Sequence, residues 1–272
     1  MKIRIHHRTA YTYETPVGSV IQILRLTPRN YEGQTVRYWR IDLDHDALLQ
    51  KSEDAFGNIV HTLSLTDPLD NLAVTVDGEI ETHDTNGVVQ GAYERFPPSL
   101  FLRETDLTKA DGAITDFAAK TVGSGNTLER LHKLVDAVYN EIKFDVGPTD
   151  ASTTAAEAFE HRHGVCQDLS HIFIAAARSL GIPARYIGGH MLREDGELQQ
   201  EAGHAWSEAY VEDLGWVAFD PAHGISTTEA YVRVAVGLDY LGAAPVRGSR
   251  LGGAHEKLEV SVTVDHAGRQ QQ

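Results

Sequence analysis

The chain has 272 residues, a length that predicts one large domain or two modest ones. Hydrophobic residues make up 42% and charged residues 23%, which is ordinary for a globular protein and excludes a disordered or fibrous class. The formal charge of −15 disfavours nucleic acid as a partner, because a polyanion would be repelled. Cys166 is the single cysteine, so an internal disulfide is excluded.

The sequence contains no pattern typical of a membrane protein. No stretch approaches the roughly 18 consecutive apolar residues that a bilayer-spanning helix needs. The first residues alternate charged and apolar positions and contain no continuous apolar segment of the kind found in export signals. We therefore expect a cytoplasmic protein that does not associate with a membrane.

Strand periodicity dominates the first 100 residues. Residues suited to one buried face of a strand recur at every second position from Ile3 to Tyr13. Within the last strand-like segment, Asp77-Gly78 is a dipeptide typical of a tight hairpin turn. Short strands at this spacing predict an antiparallel β domain over residues 1–100. The further predicted strands are 20–26, 36–43, 59–65 and 72–82.

Beyond Phe101 the spacing of apolar residues becomes helical. Helices are predicted after an N-cap at Asn126, after an N-cap at Ser152, and from Cys166 to Leu180, where glycine and proline follow. Strands then return, and the second and third of them form a predicted hairpin. These later predicted strands are 184–192, 204–211, 215–220 and 258–264.

Cys166 lies in the first turn of a predicted amphipathic helix. Unpaired N–H groups and the positive end of the helix dipole favour a thiolate at such a position. A free cysteine is most often a small buried hydrophobic residue, but the neighbours Gln167 and Asp168 are polar. Cys166 is therefore a candidate nucleophile, which needs an imidazole to take its proton and a third group to orient that imidazole.

His204 and Asp220 meet both needs. His204 begins one predicted strand and Asp220 ends the next. In an antiparallel hairpin the start of one strand lies beside the end of the following strand. We therefore expect His204 and Asp220 to be in contact, as the base and its orienting group.

Five blocks of sequence resemble one family, the bacterial transglutaminase-like proteins of the papain-like cysteine enzyme superfamily. The resemblance implies an α+β fold, in which an N-terminal β-rich domain at 1–100 precedes a catalytic core at 101–272 that ends in a C-terminal extension. In such a core the helix that carries Cys166 packs on an antiparallel sheet. A small departure is Gly203, where members commonly have serine. The blocks are LRLTPR at 24–29, DAFGN at 54–58, GVCQDLSHIFIAAARSLGIPARYIGGHM at 164–191, GHAWSEAYVEDLGWVAFDPAHG at 203–224 and AYVRVAVGLDYLGAAPVRG at 230–248.

The resemblance implies acyl transfer through a thioester. Cys166 would attack a carboxamide or peptide bond of a protein or peptide, His204 would act as base and then acid, and Asp220 would hold His204. The acyl group would pass to an amine, as in a transglutaminase, or to water, as in a cysteine protease or a deamidase, and the motifs do not separate these outcomes. The main-chain N–H of Cys166 is one candidate oxyanion donor; the sequence identifies no side-chain donor. A binding module that keeps this fold is the alternative, and the complete Cys-His-Asp set favours the enzyme.

No cofactor or metal is expected. His161, His163 and His171 lie near Cys166, but their spacing fits no tetrahedral zinc motif, and a zinc-bound Cys166 would leave His204 and Asp220 unexplained. The acidic run from Asp42 to Glu53 has the spacing of a calcium loop. However, it has Ala47 where the turn needs glycine, and it follows a predicted strand.

Two further groups of residues have structural interpretations. Gly188-Gly189 is expected to mark a bulge or a close backbone approach, since no lysine and no helix follow as in a phosphate loop. His190 and His223 are near the candidate site in sequence, which is the only argument for a role there. Aromatic side chains are expected to pack the sheet against the Cys166 helix: Trp206, Tyr210, Trp216 and Phe219.

Overall fold

A computed structural model describes residues 1–147, 149–193 and 195–268. Its two large sheets are antiparallel throughout, and a short parallel pair forms a third. The strands in chain order are β1 (Lys2–Thr27), β2 (Gln34–Leu43), β3 (Leu49–Glu53), β4 (Ile59–Leu65), β5 (Leu69–Thr82), β6 (Val88–Val89), β7 (Lys143–Phe144), β8 (His163–Gly164), β9 (Ala184–Met191), β10 (Gln199–Gln200), β11 (His204–Val211), β12 (Gly215–Asp220), β13 (Ile225–Ser226), β14 (Tyr231–Gly237), β15 (Val246–Gly252) and β16 (Glu256–His266).

Along the chain, most of the helices lie after the first strands of the N-terminal sheet and before β9. None of them, over the described ranges, is both long enough and apolar enough to cross a bilayer. Together with the antiparallel sheets they confirm the predicted α+β class. The α-helices are α1 (Gly112–Val122), α2 (Thr127–Glu141), α3 (Ala155–His161), α4 (Cys166–Ser179) and α5 (Tyr240–Ala243), and 3-10 helices cover Pro98–Leu102 and Asp106–Thr108.

The first sheet is organised around β1, a single strand of 26 residues. Buried and exposed side chains alternate along its first half, as the sequence predicts. The predicted strand at 20–26 is confirmed as part of β1, but it is not separate, because the chain runs from one predicted strand into the other without a turn. Pro16 has no N–H to donate, and it lies between Thr12 and Val17, where the pairing of β1 with β5 is interrupted.

Asp77-Gly78 is not a turn, so the hairpin predicted there is wrong. Both residues lie in the middle of β5, where Gly78 is opposite Trp39 of β2 and Ile5 of β1. A Cβ atom added at Gly78 would be 2.0 Å from Cε3 of Trp39. Glycine is present because an indole ring packs directly on the backbone, and no local sequence pattern contains that information.

The C-terminal strands return to the first sheet. β16 pairs with β1, with Val264 opposite Ile5, and β15 pairs with the second half of β1. The predicted final strand at 258–264 therefore lies within β16 and is next to the first strand of the chain. Ile5 and Val264 belong to the same buried cluster as the helices. This shared core fixes the first sheet against the rest of the protein.

The second sheet has the strand order β13-β12-β11-β9-β14, and α4 packs on it. Most of α4 is buried, and Phe173 contacts Phe219 of β12 with ring centroids 5.5 Å apart. The expected arrangement, in which the cysteine helix packs on an antiparallel sheet, is confirmed. Trp206 and Trp216 differ from expectation, since they lie with Phe101 in a separate cluster away from α4. Alternate side chains of β11 and β12 point to opposite faces, so only some of the aromatic residues can contact the helix.

The helix starts show how local hydrogen bonds define the ends of elements. Asn126 caps α2 as predicted, and its side chain accepts a hydrogen bond from the N–H of Glu129 at 2.9 Å. The cap of α3 is Thr154 rather than Ser152, since Thr154 and Glu157 form a reciprocal capping box. Ser152 instead donates to Asp150 in the preceding turn. The sequence prediction also omitted α1, which begins after Asp111.

Candidate active site

Cys166 is the first residue of α4, where the sequence predicts it. The turn before the helix is held by Asp168, which is 1% exposed and accepts hydrogen bonds from the Val165 N–H at 2.9 Å and the Thr149 hydroxyl at 2.7 Å. Burial raises the pKa of Asp168, and the two hydrogen bonds oppose that rise. A Cβ atom at Gly164 would lie 2.6 Å from Cβ of Asp168, so only glycine fits beside this carboxylate. The sequence prediction assigned no role to Asp168.

His204 and Asp220 are in contact at one end of the β11–β12 hairpin. Ser207 is opposite Phe219 in this hairpin, which brings the start of β11 to the end of β12. His204 Nε2 and Asp220 Oδ2 are 2.7 Å apart, and Asp220 is fully buried. The hairpin geometry expected from the sequence thus brings these two side chains together.

The third predicted residue, Cys166, lines the same cleft as His204, and its thiol contributes to the raised pKa of that imidazole. Because Nε2 of the imidazole is occupied by Asp220, Nδ1 is the nitrogen left to face Sγ. Burial by itself lowers the pKa of His204, but the charge of Asp220, its hydrogen bond and the contact with Cys166 raise that pKa to about 10. This environment stabilises an imidazolium beside the sulfur.

The Asp220 carboxylate accepts more hydrogen bonds than the sequence predicts. Its Oδ2 atom lies 2.8 Å from Nδ1 of His223 and accepts from the Tyr231 hydroxyl at 2.7 Å, in addition to His204. Its Oδ1 atom accepts from the N–H of Ala222 at 2.8 Å. Burial alone would raise the pKa of Asp220, but the two histidines lower it well below its usual range. Asp220 is therefore held ionised and in one orientation.

The contacts of Asp220 with His223 and with Tyr231 differ in whether the sequence could have predicted them. His223 follows Asp220 by three residues in the same turn, so proximity in sequence was a usable signal. Tyr231 lies on β14, and nothing in its local pattern indicates that its hydroxyl reaches Asp220. Its ring also contacts the rings of His204 and Trp206, with centroids 5.9 and 5.4 Å apart.

The close approach predicted at Gly188-Gly189 is confirmed. A Cβ atom at Gly189 would be 2.1 Å from the Val232 carbonyl oxygen, and Gly189 is also opposite His204 in the sheet. The irregularity in pairing falls on the neighbouring strand β14, between Arg233 and Ala235. These glycines bring β14, and with it Tyr231, close to the His204 strand.

A cleft of about 280 Å³ opens onto Cys166 and His204. One wall is formed by the second sheet and the start of α4, including Gln167 and Tyr186. The opposite wall is formed by the first sheet. Its residues are His7, Thr9, Tyr11, Arg25 and Leu26 of β1, Val246 of β15, and Leu258 and Val260 of β16. Both ends of the chain therefore shape the access to the thiol.

His190 lines this cleft without contacting the other candidate residues. Its ring packs edge-on against His7 of β1, with the centroids 5.5 Å apart. Burial, and to a smaller extent His7, lowers the pKa of His190 to about 3. Burial, and to a smaller extent His6, lowers the pKa of His7 to about 4. Both are neutral at pH 7, and their ring contact joins the two sheets.

Within the described ranges, one group of side chains has the proximity that a metal ion requires. His204, Asp220 and His223 offer atoms that lie within 4.8 Å of one another. Both imidazoles already hydrogen-bond to the same oxygen of Asp220. The arrangement is accounted for by these hydrogen bonds, and the histidines around 161–171 do not form a second such group among the described residues.

Two family models match separate parts of the chain. Residues 115–221, which contain Cys166, His204 and Asp220, match the transglutaminase-like superfamily. Residues 3–81, which form most of the first sheet, match the bacterial transglutaminase-like N-terminal region.

Proteins of two bacteria align with nearly the whole chain. An uncharacterised protein of Mycobacterium leprae is 28% identical over 97% of this chain and 98% of its own length. An uncharacterised protein of Mycobacterium tuberculosis is 28% identical over 91% of this chain and 87% of its own length.

A crystal structure shares the fold. A candidate cysteine protease from Cytophaga hutchinsonii superposes with a TM-score of 0.80 at 21% identity, over 100% of this chain and 92% of the other. The two family models together cover more than half of the chain, in the order that the fold shows. The chain thus resembles the transglutaminase-like superfamily in its core and the bacterial transglutaminase-like N-terminal region before it, and its fold is transglutaminase-like.

Proposed function

We propose that the protein is a cysteine acyl-transfer enzyme acting on carboxamide or peptide bonds of proteins or peptides. The observation that carries this proposal is that Cys166 and His204 line one cleft, while His204 is hydrogen-bonded at 2.7 Å to the buried Asp220. A thiol used only for packing would need neither an imidazole at its sulfur nor a buried carboxylate behind that imidazole.

The first half-reaction forms a thioester. The Cys166 proton moves to His204, and the sulfur adds to the carbonyl carbon of the substrate to give a tetrahedral intermediate. The carbon–nitrogen bond then breaks, and His204 returns its proton to the departing nitrogen. Asp220 keeps the ring oriented with Nδ1 toward the sulfur and stabilises its positive charge.

The second half-reaction consumes the thioester. An amine or a water molecule gives a proton to His204, attacks the thioester carbon and releases Cys166. Attack by an amine produces a new amide, and attack by water produces a carboxylic acid. The cleft has access from solvent for either acceptor, so the reaction class is acyl transfer to an amine or to water.

A mass-resolved reaction with peptides tests the proposal. Purified protein is incubated with glutamine-containing peptides, with and without a primary amine, and Cys166→Ala serves as the control. Loss of ammonia with gain of the amine indicates transfer, a gain of about one dalton indicates deamidation, and shorter peptides indicate proteolysis. If wild-type protein forms neither a product nor a thioester adduct on Cys166 with peptides or activated esters, the binding-module hypothesis replaces this one.

A further inference from the structure

Tyr186 of β9 lies in the wall of the cleft that contains Cys166 and His204. The side chain is 3% exposed, and its ring packs against His171 of α4 with the centroids 5.2 Å apart. The ring is thus fixed on the face of the sheet that carries the cysteine helix. Its edge also contacts Tyr240, with the centroids 6.2 Å apart.

The hydroxyl of Tyr186 has no hydrogen-bond partner among the residues that the structure describes. Because Tyr186 lines the cleft that also contains Cys166, its hydroxyl is available to a group bound there, and tyrosine hydroxyls in such positions normally have a partner. Burial first, and then the negative charge of Cys166, raise the pKa of Tyr186 well above its usual value. The phenol therefore keeps its proton beside the thiolate and is available as a donor.

The main-chain N–H of Cys166 is similarly available. As the first residue of α4, Cys166 has no carbonyl one turn earlier in the helix, and its N–H has no acceptor in the described part of the chain. A tetrahedral intermediate of acyl transfer needs donors directed at its oxyanion, and two are typical. The cleft thus holds two candidate donors, the hydroxyl of Tyr186 and the main-chain N–H of Cys166.

We propose that the Tyr186 hydroxyl is a catalytic residue that donates the second oxyanion hydrogen bond, together with the N–H of Cys166. This inference rests on the proposed acyl-transfer function. When the sulfur–carbon bond forms, the carbonyl π electrons move to oxygen, and the resulting oxyanion accepts hydrogen bonds from Tyr186 and Cys166. When the carbon–nitrogen bond breaks, the electrons return to the carbonyl, His204 protonates the nitrogen, and Tyr186 still holds its own proton.

Tyr186→Phe separates this role from activation of the thiol. The substitution keeps the ring contacts with His171 and Tyr240 and removes only the hydroxyl. Loss of one oxyanion donor is expected to lower the single-turnover acylation rate with a p-nitrophenyl ester by about a hundred-fold or more. Alkylation of Cys166 by iodoacetamide passes through no oxyanion, so its rate is expected to stay within about two-fold of wild type.

Matched variants complete the test. Tyr210→Phe removes a hydroxyl from the same sheet, where Tyr210 packs on Trp216 away from the cleft, and we expect wild-type acylation from it. Tyr186→Met is a second hydroxyl-free variant that fills the space if phenylalanine does not fold. Gln167→Met removes the other cleft-lining donor next to the thiol.

Each result has one interpretation. Selective loss of acylation in the hydroxyl-free Tyr186 variants supports the inference. Unchanged acylation, an equal loss of alkylation, or loss of acylation confined to Gln167→Met overturns it while leaving the proposed function intact. Absence of any acyl-enzyme in the wild-type protein overturns the proposed function itself and, with it, the role of Tyr186.

Discussion

Asp220→Asn tests the electrostatic role of the buried carboxylate. Oδ2 of Asp220 contacts His204, His223 and Tyr231, and Oδ1 accepts from the backbone N–H of Ala222. An asparagine has one oxygen and one NH₂ group. In either orientation of its amide, the NH₂ group therefore faces at least one donor. The substitution preserves the volume but removes the negative charge and at least one hydrogen bond.

The expected magnitude follows from the effect on His204. The rise of the His204 pKa from 6.5 to about 10 corresponds to roughly 5 kcal/mol in favour of the imidazolium, at about 1.4 kcal/mol per pKa unit. Burial opposes this rise, so removing the charge of Asp220 should remove most of it. Allowing for relaxation and entry of water, we expect a loss of about 3 kcal/mol, or a hundred- to thousand-fold lower acylation rate.

The pH dependence gives the direction of the effect. A raised pKa means that His204 keeps its proton up to high pH in the wild-type protein. In Asp220→Asn the imidazolium is less stable, so the neutral thiol and imidazole should replace the thiolate–imidazolium pair, and the thiolate should form only as the pH approaches the ordinary thiol pKa of about 8.5. The measurements are single-turnover acylation with an activated ester and iodoacetamide alkylation between pH 5 and 10. Asp239→Asn is a matched control, because Asp239 is a buried helix cap whose hydrogen bond to the Gly242 N–H an asparagine can keep.

A double-mutant cycle with His204→Ala provides the decisive comparison. If Asp220 acts through His204, the double variant should be little worse than His204→Ala alone. Full additivity of the two losses, with an unchanged pH profile in Asp220→Asn, would refute the reasoning. Asp220 would then be a structural residue that closes the turn before Ala222.

Three further predictions concern the thiol, the turn before it and the buried histidines. Cys166→Ala should abolish acylation while leaving the melting temperature within a few degrees of wild type; unfolding of this variant would instead favour a structural cysteine. Gly164→Ala should destabilise the protein by about 1–3 kcal/mol in urea unfolding, because its methyl group would meet Asp168 at 2.6 Å, and an unchanged midpoint would show that Asp168 can move. In the folded state the pKa values of His7 and His190 are lowered to about 4 and about 3. As the pH falls below 6.5, these two histidines therefore bind protons in the unfolded chain but not yet in the folded protein. Unfolding free energy should therefore fall below pH 6.5 by about 1.4 kcal/mol per pH unit for each histidine, and His7→Gln with His190→Gln should flatten that slope; the same slope in the double variant would contradict this assignment.

The proposed reacting groups are the part of the candidate site that local sequence patterns determine. Helical periodicity and polar neighbours place Cys166 at a helix start, and both features lie within a few residues of it. The contact between His204 and Asp220 was predictable because only three residues join β11 to β12. So short a connection makes the two strands pair as an antiparallel hairpin. Short sequence separation therefore made these contacts predictable.

The surroundings of those groups were decided by tertiary structure. Tyr231 hydrogen-bonds to Asp220 from a strand whose local sequence pattern indicates only that the residue is buried. The sequence pattern around Tyr186 likewise indicates only a strand, and its position in the site depends on the packing of α4 against its ring. Gly78 has the sequence context of a turn, yet it lies in a strand because Trp39 packs on its backbone. Period-two alternation specifies which side chains share a face but not which distant strand pairs with which, since that depends on the packing of the whole core. The return of β16 to β1, and the cleft wall that this pairing completes, follows from that packing.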